Sequence, residues 1–221
     1  MANSLIIRRQ NVWRIEPGID PEASVFINCP FDREFEPIGD AIIFTVVSCG
    51  FFPRNAKESE LVSIPRVERI KRALFSSKYS IHDFSRCRGE GDDDFARFNM
   101  PLEFGMAMAL RLIEEVLQVE EGDQHDWLLL VPSGHHYKKF VSDLSGYDPI
   151  EYDGTEEMVV RAVMEWLLRR LETPDKKKDL KPSTVLLQLN EFKQAKKNLQ
   201  TEWGGEVPWY ALLDAATNIA G

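Results

Sequence analysis

Arg97-Phe98-Asn99-Met100-Pro101-Leu102-Glu103-Phe104-Gly105-Met106-Ala107-Met108-Ala109-Leu110 is the stretch on which the reading of the whole chain turns. Asn99 has the side chain of a helix N-cap, and Pro101 stands where a missing N–H costs nothing. From Leu102 to Leu110 every residue except Glu103 is apolar or glycine. Such a segment predicts a helix over about 99–119 that is covered on nearly all sides. A carboxylate in that setting is costly unless it is paired or faces a cavity. A capping box would explain Glu103 simply, but it needs Ser or Thr three residues earlier, where Met100 stands. Two readings remain: a pocket carboxylate, or a structural pair or helix-dipole partner.

Upstream of this helix, strands and helices alternate. Ser24-Val25-Phe26-Ile27-Asn28-Cys29 is a continuous β-prone run stopped by Pro30, the pattern of a central parallel strand. Pro37 opens a helix with Ile38, Ala41, Ile42, Thr45 and Val46 at helical spacing, ending near Gly50. A second short strand is expected over 50–54, a helix over 66–77 and a third strand over 78–83. Downstream, 127–132 reads as a fourth strand, 149–152 as a short fifth and 155–171 as an amphipathic helix. Residues 1–23 read as an arm and 24–171 as the α/β domain. Residues 172–182, with their three consecutive lysines, read as a solvated linker, and 183–221 as C-terminal helices. The predicted fold is therefore α/β: a doubly wound, mainly parallel five-stranded sheet of flavodoxin-like type with a C-terminal helical appendage.

In such sheets right-handed crossovers bring every strand's C-terminal end to one edge, and ligands bind there at the switch in strand order. The residues delivered to that edge are Asn28, Pro30, Phe31, Arg54, Asp83 and Ser85, joined by Phe98, Asn99, Met100 and Glu103. Paired carboxylates with an amide and a hydroxyl suit glycosidic bond cleavage, in which one acid meets the anomeric carbon and another handles protons. Phe31, Phe84 or Phe98 can stack on a base, and Arg54 can meet a phosphate; each also has an ordinary role, in the core or in a salt bridge.

Other chemistries find little footing. No GxGxxG follows the first strand, and no GxxxxGK[ST] or GxSxG motif is present. His135-His136 has no third ligand nearby in sequence, so no metal is assigned. His82, on the strand before Asp83, reads as a core histidine on the opposite face, and Cys29 as a small buried residue. Net charge is -9, which argues against nucleic acid as the main partner. Cys29, Cys49 and Cys87 show no CxxC spacing and read as reduced thiols. With no leader or spanning segment recognised, a cytoplasmic protein is expected. Trp209, Tyr210, Leu212, Leu213 and Ile219 offer an apolar helix for docking on its own domain or for homo-oligomerisation.

Phe26-Ile27-Asn28-Cys29-Pro30-Phe31 resembles the first-strand motif of nucleoside 2-deoxyribosyltransferases, and Ile81-His82-Asp83-Phe84-Ser85 resembles their third-strand aspartate segment. The run from Leu102 to Leu110 is similar to their catalytic helix, where a glutamate precedes a glycine and an alanine-rich stretch. This superfamily is related to TIR domains, some of which cleave NAD at the nicotinamide–ribose bond. The resemblance implies Glu103 as nucleophile or cation stabiliser and Asp83 as proton donor or base-binding group. Asn28, Pro30 and Phe31 would line the base and sugar site. It implies an N-glycosidase acting on a nucleotide or nucleoside, NAD included as substrate rather than cofactor, in the setting of a bacterial defence effector. A non-catalytic nucleotide-binding module and a nucleoside 2-deoxyribosyltransferase are the alternatives.

Overall fold

The structure, a computed structural model, describes residues 19–58, 63–87, 98–134, 136–139, 141–144, 146–171 and 179–221. Residues 1–18 of the expected arm, the acidic loop at 88–95, Arg97, His135 and residues 172–178 of the expected linker lie outside the described residues.

Five strands alternate with helices along the chain: β1 (Ser24–Asn28), α1 (Glu36–Ser48), β2 (Phe52–Arg54), α2 (Arg66–Phe75), β3 (Tyr79–Asp83), α3 (Asn99–Val116), β4 (Asp126–Pro132), β5 (Ile150–Tyr152) and α4 (Glu156–Leu168). Two further helices, α5 (Pro182–Trp203) and α6 (Trp209–Ala220), end the chain. The strands form one all-parallel sheet in the order β2-β1-β3-β4-β5, with flanking helices: the doubly wound α/β class. Every residue of β1 and β3 is buried; β1 is apolar at Val25, Phe26 and Ile27, whereas β3 buries Ser80, His82 and Asp83 as well. Strand order reverses between β1 and β3, so the switch point falls at their C-terminal ends, at Asn28 and Asp83.

The chain divides into two compact units, one of residues up to Pro30 together with Phe52–Tyr152, the other of Phe31–Phe51 together with Asp153–Gly221. The first holds the sheet, α2 and α3. Phe104 of α3 anchors its core, with ring centroids of His82 at 5.0 Å, Trp127 at 5.4 Å and Phe84 at 5.8 Å. Edge-to-face contacts of this kind fix orientation as well as burying area. They hold α3 against β3 and β4.

Helix α3 departs from its expected form in two ways. Phe98, not Asn99, is the N-cap residue; its backbone is already helical, and its carbonyl accepts the amide of Leu102 at 3.1 Å. Asn99 is thereby drawn into the helix and caps nothing. Nor is the helix covered all round. Met100, Glu103, Phe104, Ala107, Leu110 and Glu114 form its buried stripe, while Leu102, Leu112, Ile113 and Val116 are exposed. Apolar composition here marks two faces, of which the fold covers one.

In the second unit α1, α4, α5 and α6 pack together. Thr155 caps α4 by accepting the amide of Met158, and Gly204, at a φ of 71°, closes α5 in the left-handed conformation that favours glycine. Leu212, Leu213 and Ala216 of α6 are buried, so this helix docks on its own chain. Lys196 of α5 binds Asp40 at 2.6 Å and Glu36 at 2.8 Å. Burial raises the Asp40 carboxyl above its ordinary pKa, against the pull of Lys196. Removing one partner of a buried pair strands the other charge. Lys196→Met is therefore expected to lower stability by about 3 kcal/mol in urea unfolding. Adding Asp40→Asn should recover most of that loss; no loss in the single variant would contradict a buried pair.

Candidate functional site

The site lies within the first unit, at the C-terminal ends of β1 and β3, where the first turns of α3 come down. One side chain makes the joint. Asn28, at the end of β1, is buried, and its amide nitrogen lies 2.9 Å from the Met100 carbonyl and 2.9 Å from His82 Nδ1. A carbonyl can only accept, which fixes the amide nitrogen toward both partners. His82 Nδ1 must then accept, and its proton sits on Nε2, donated to Ser80 Oγ at 2.8 Å. Ser80 passes its own proton toward His125 Nε2, also at 2.8 Å, and His125 Nδ1–H donates to the Ser77 carbonyl at 3.0 Å. The row is complete with both histidines neutral. Burial, reinforced by His125, holds His82 well below the usual histidine pKa, in keeping with that assignment.

Glu103 lies one turn on from Met100 and shares its buried face. It is 8% exposed, and no hydrogen bond to its carboxylate is found among the described residues. Burial pushes its pKa up to about 7, with Arg66 pulling the other way. Glu114 on the same face is a useful contrast: buried as well, it accepts the backbone amide of His125. One carboxylate of α3 is structural; the other is left without a partner of that kind.

Asp83 follows His82 directly. His82 meets Phe104 of α3, so the pleat turns Asp83 to the opposite side of β3. It is completely buried, accepts the Ser85 amide at 2.8 Å and the Tyr152 hydroxyl at 2.7 Å. Burial raises its pKa to about 6, and these hydrogen bonds limit the rise. Through the same contact Tyr152 is held above the ordinary tyrosine pKa by burial and by Asp83. The Ser85 hydroxyl lies beside them, buried and without a hydrogen bond of normal geometry. Cys87 is pushed up to about 12 by burial, which removes it as a thiolate nucleophile.

The remaining candidates are distributed as follows. Pro30 and the Met100 side chain are buried beside the joint, whereas Phe98 and Asn99 face outward at the mouth of α3. Phe31 belongs to the second unit and is exposed. Arg54 is occupied within the fold: its guanidinium forms a two-pronged ion pair with Glu58 and donates to Ser76 Oγ. Phe84 is core, packed on Phe104. Sequence reasoning missed Tyr152 and the His82–Ser80–His125 row. The one available signal for Tyr152 was its position at the end of a strand, which places it at the ligand edge.

Comparison with protein-family models, curated proteins and solved structures finds no significant match to this chain. The site is read from its own geometry. Among the described residues, no helix is long and apolar enough to cross a membrane.

Two outcomes follow. A carboxyl whose folded pKa exceeds its unfolded value binds its proton more tightly when folded, so stability falls as pH rises through that interval. For Glu103 the interval runs from 4.5 to about 7. Glu103→Gln should therefore stabilise the protein by about 3 kcal/mol at pH 8, and by nothing near pH 4. A thermal-unfolding series across pH that showed equal effects at both ends would contradict a desolvated carboxylate. Asn28→Ala leaves the Met100 carbonyl and His82 Nδ1 unpaired, and should cost about 2 kcal/mol in urea unfolding.

Proposed function

We propose that the chain is an N-glycosidase acting on a nucleotide or nucleoside, with NAD among the substrates to which the chemistry extends. The observation that carries this reading is Glu103: a buried carboxylate on the helix above the switch point, with its pKa raised to about 7 and no hydrogen-bonding partner found among the described residues. Cleaving a glycosidic nitrogen–carbon bond sends the electron pair to the departing base and leaves positive charge on the sugar. A poorly solvated carboxylate gains most when that cation develops beside it, so its interaction grows from ground state to transition state. This is the differential binding that catalysis needs.

In this reading Glu103 attacks or stabilises the anomeric carbon, and Asp83 delivers the proton that the base takes up. Water then supplies oxygen to the sugar carbon and returns a proton to a carboxylate. Tyr152 and the Ser85 amide keep Asp83 in place, and the Ser85 hydroxyl lies beside the same carboxylate. The resemblance to nucleoside 2-deoxyribosyltransferases and TIR domains points the same way, and Asn28 takes the part of a positioning residue through the Met100 carbonyl.

The productive form, Glu103 ionised and Asp83 protonated, is a minor one at every pH and peaks between the two pKa values, so the rate profile is a bell with limbs near about 6 and about 7. Incubation of the wild type and Glu103→Gln with NAD and a panel of nucleosides, read by chromatography for free base, tests the reading. Base release by the wild type alone, highest between the two limbs, is expected. Equal release by the variant would overturn the role of Glu103. No release from any substrate, combined with ligand-induced thermal shifts, would replace catalysis by nucleotide sensing.

A further inference from the structure

Helix α3 carries a second, unassigned feature on the side away from Glu103. Phe98, Leu102, Gly105, Ala109, Leu112 and Val116 follow one another at alternating spacings of four and three, the a/d spacing of a coiled-coil seam. All six are exposed, the four large ones strongly: Phe98 is 72%, Leu102 59%, Leu112 60% and Val116 74% accessible. The helix has 18 residues, so the seam runs about 27 Å. No charged residue interrupts it.

Among the described residues nothing calls for a glycine at position 105. It sits mid-helix, where glycine costs about 1 kcal/mol relative to alanine. A Cβ built there meets nothing within 4 Å. A glycine at this position suits the close approach of another backbone. The order of sizes says which backbone. About position 107 the seam is a palindrome of size: Phe98 mirrors Val116, Leu102 mirrors Leu112, and Gly105 mirrors Ala109. A two-fold interface sets residue i against residue j and j against i. An antiparallel pair of these helices would match large with large at both ends and small with small at a narrow waist.

We propose that the chain forms an isologous dimer through α3, with two copies of the helix packed antiparallel and Gly105 of each facing Ala109 of the other. Glu103 points into its own unit while the reverse of the same helix is clamped by the second copy. The oligomerisation surface thus lies on the site helix rather than on α6.

Sedimentation velocity of the full chain over a concentration series is the test. The wild type is expected to shift from the 25.4 kDa monomer to twice that mass. Gly105→Gln and Ala109→Glu should each abolish the dimer at concentrations where the wild type is paired. Gly105→Gln should also raise the melting temperature of the monomer, because glutamine is the better helix former. Leu102→Cys and Leu112→Cys together should give an oxidised, cross-linked dimer, and neither alone should, since like positions stand about 15 Å apart in this register. The three native cysteines are buried and leave that readout clear. A wild type that stays monomeric throughout, dimers that survive both waist substitutions, or cross-linking by Leu102→Cys alone would overturn the proposal.

Discussion

The amide of Asn28 is the contact on which the site depends. It ends β1, bonds sideways to His82 on β3 and upward to the Met100 carbonyl in the first turn of α3. Three elements that carry the candidate machinery are thereby fixed relative to one another by two hydrogen bonds on one nitrogen. An unpaired carbonyl or imidazole nitrogen at this depth is costly, so the joint holds its geometry firmly. Glu103 is one turn along from one partner and Asp83 one residue along from the other. Their placement follows from the joint, although neither touches it.

The two carboxyls reach the edge from opposite sides of β3, and their environments differ accordingly. Asp83 is buried but served by an amide and a hydroxyl, which limits the rise of its pKa to about 6. Glu103 lacks such donors among the described residues and rises to about 7. Different solvation therefore separates two like groups, and the assigned chemistry runs through the form with Glu103 ionised and Asp83 protonated, a minor form between the two values. The same helix shows how context, not residue type, assigns roles: Glu114 is equally buried and wholly structural.

The strand ladder was legible chiefly through β1 and β4, whose apolar runs Val25–Ile27 and Trp127–Val131 are followed by Pro30 and Pro132. The edge that collects Asn28, Asp83 and Ser85 follows from topology alone. Helix α3 was misread because an apolar run signals an avoided solvent, and nothing in one chain's sequence says whether its own fold or another molecule provides the cover. Asn99 failed as a cap because Phe98 had already entered the helix, a backbone choice its side chain does not reveal. Arg54 stood at the ligand edge, but Glu58, four residues on, claims it in a contact that local sequence could have suggested. Tyr152 was signalled only by its place at a strand's end, and the pairings of Tyr152 and His125 were not legible: their partners are 69 and 45 residues away, and no periodicity encodes a pairing at that range.

The account rests on Glu103 being a desolvated carboxylate held in place above the switch point. Its titration is directly observable by carbon-13 NMR of side-chain carboxyl carbons, assigned by comparison with Glu103→Gln. A midpoint near 7 for Glu103, well above that of the exposed glutamates, is the predicted result. A midpoint in the ordinary range near 4.5 would mean that the carboxylate is solvated, and the chemistry assigned to it would lose its physical basis.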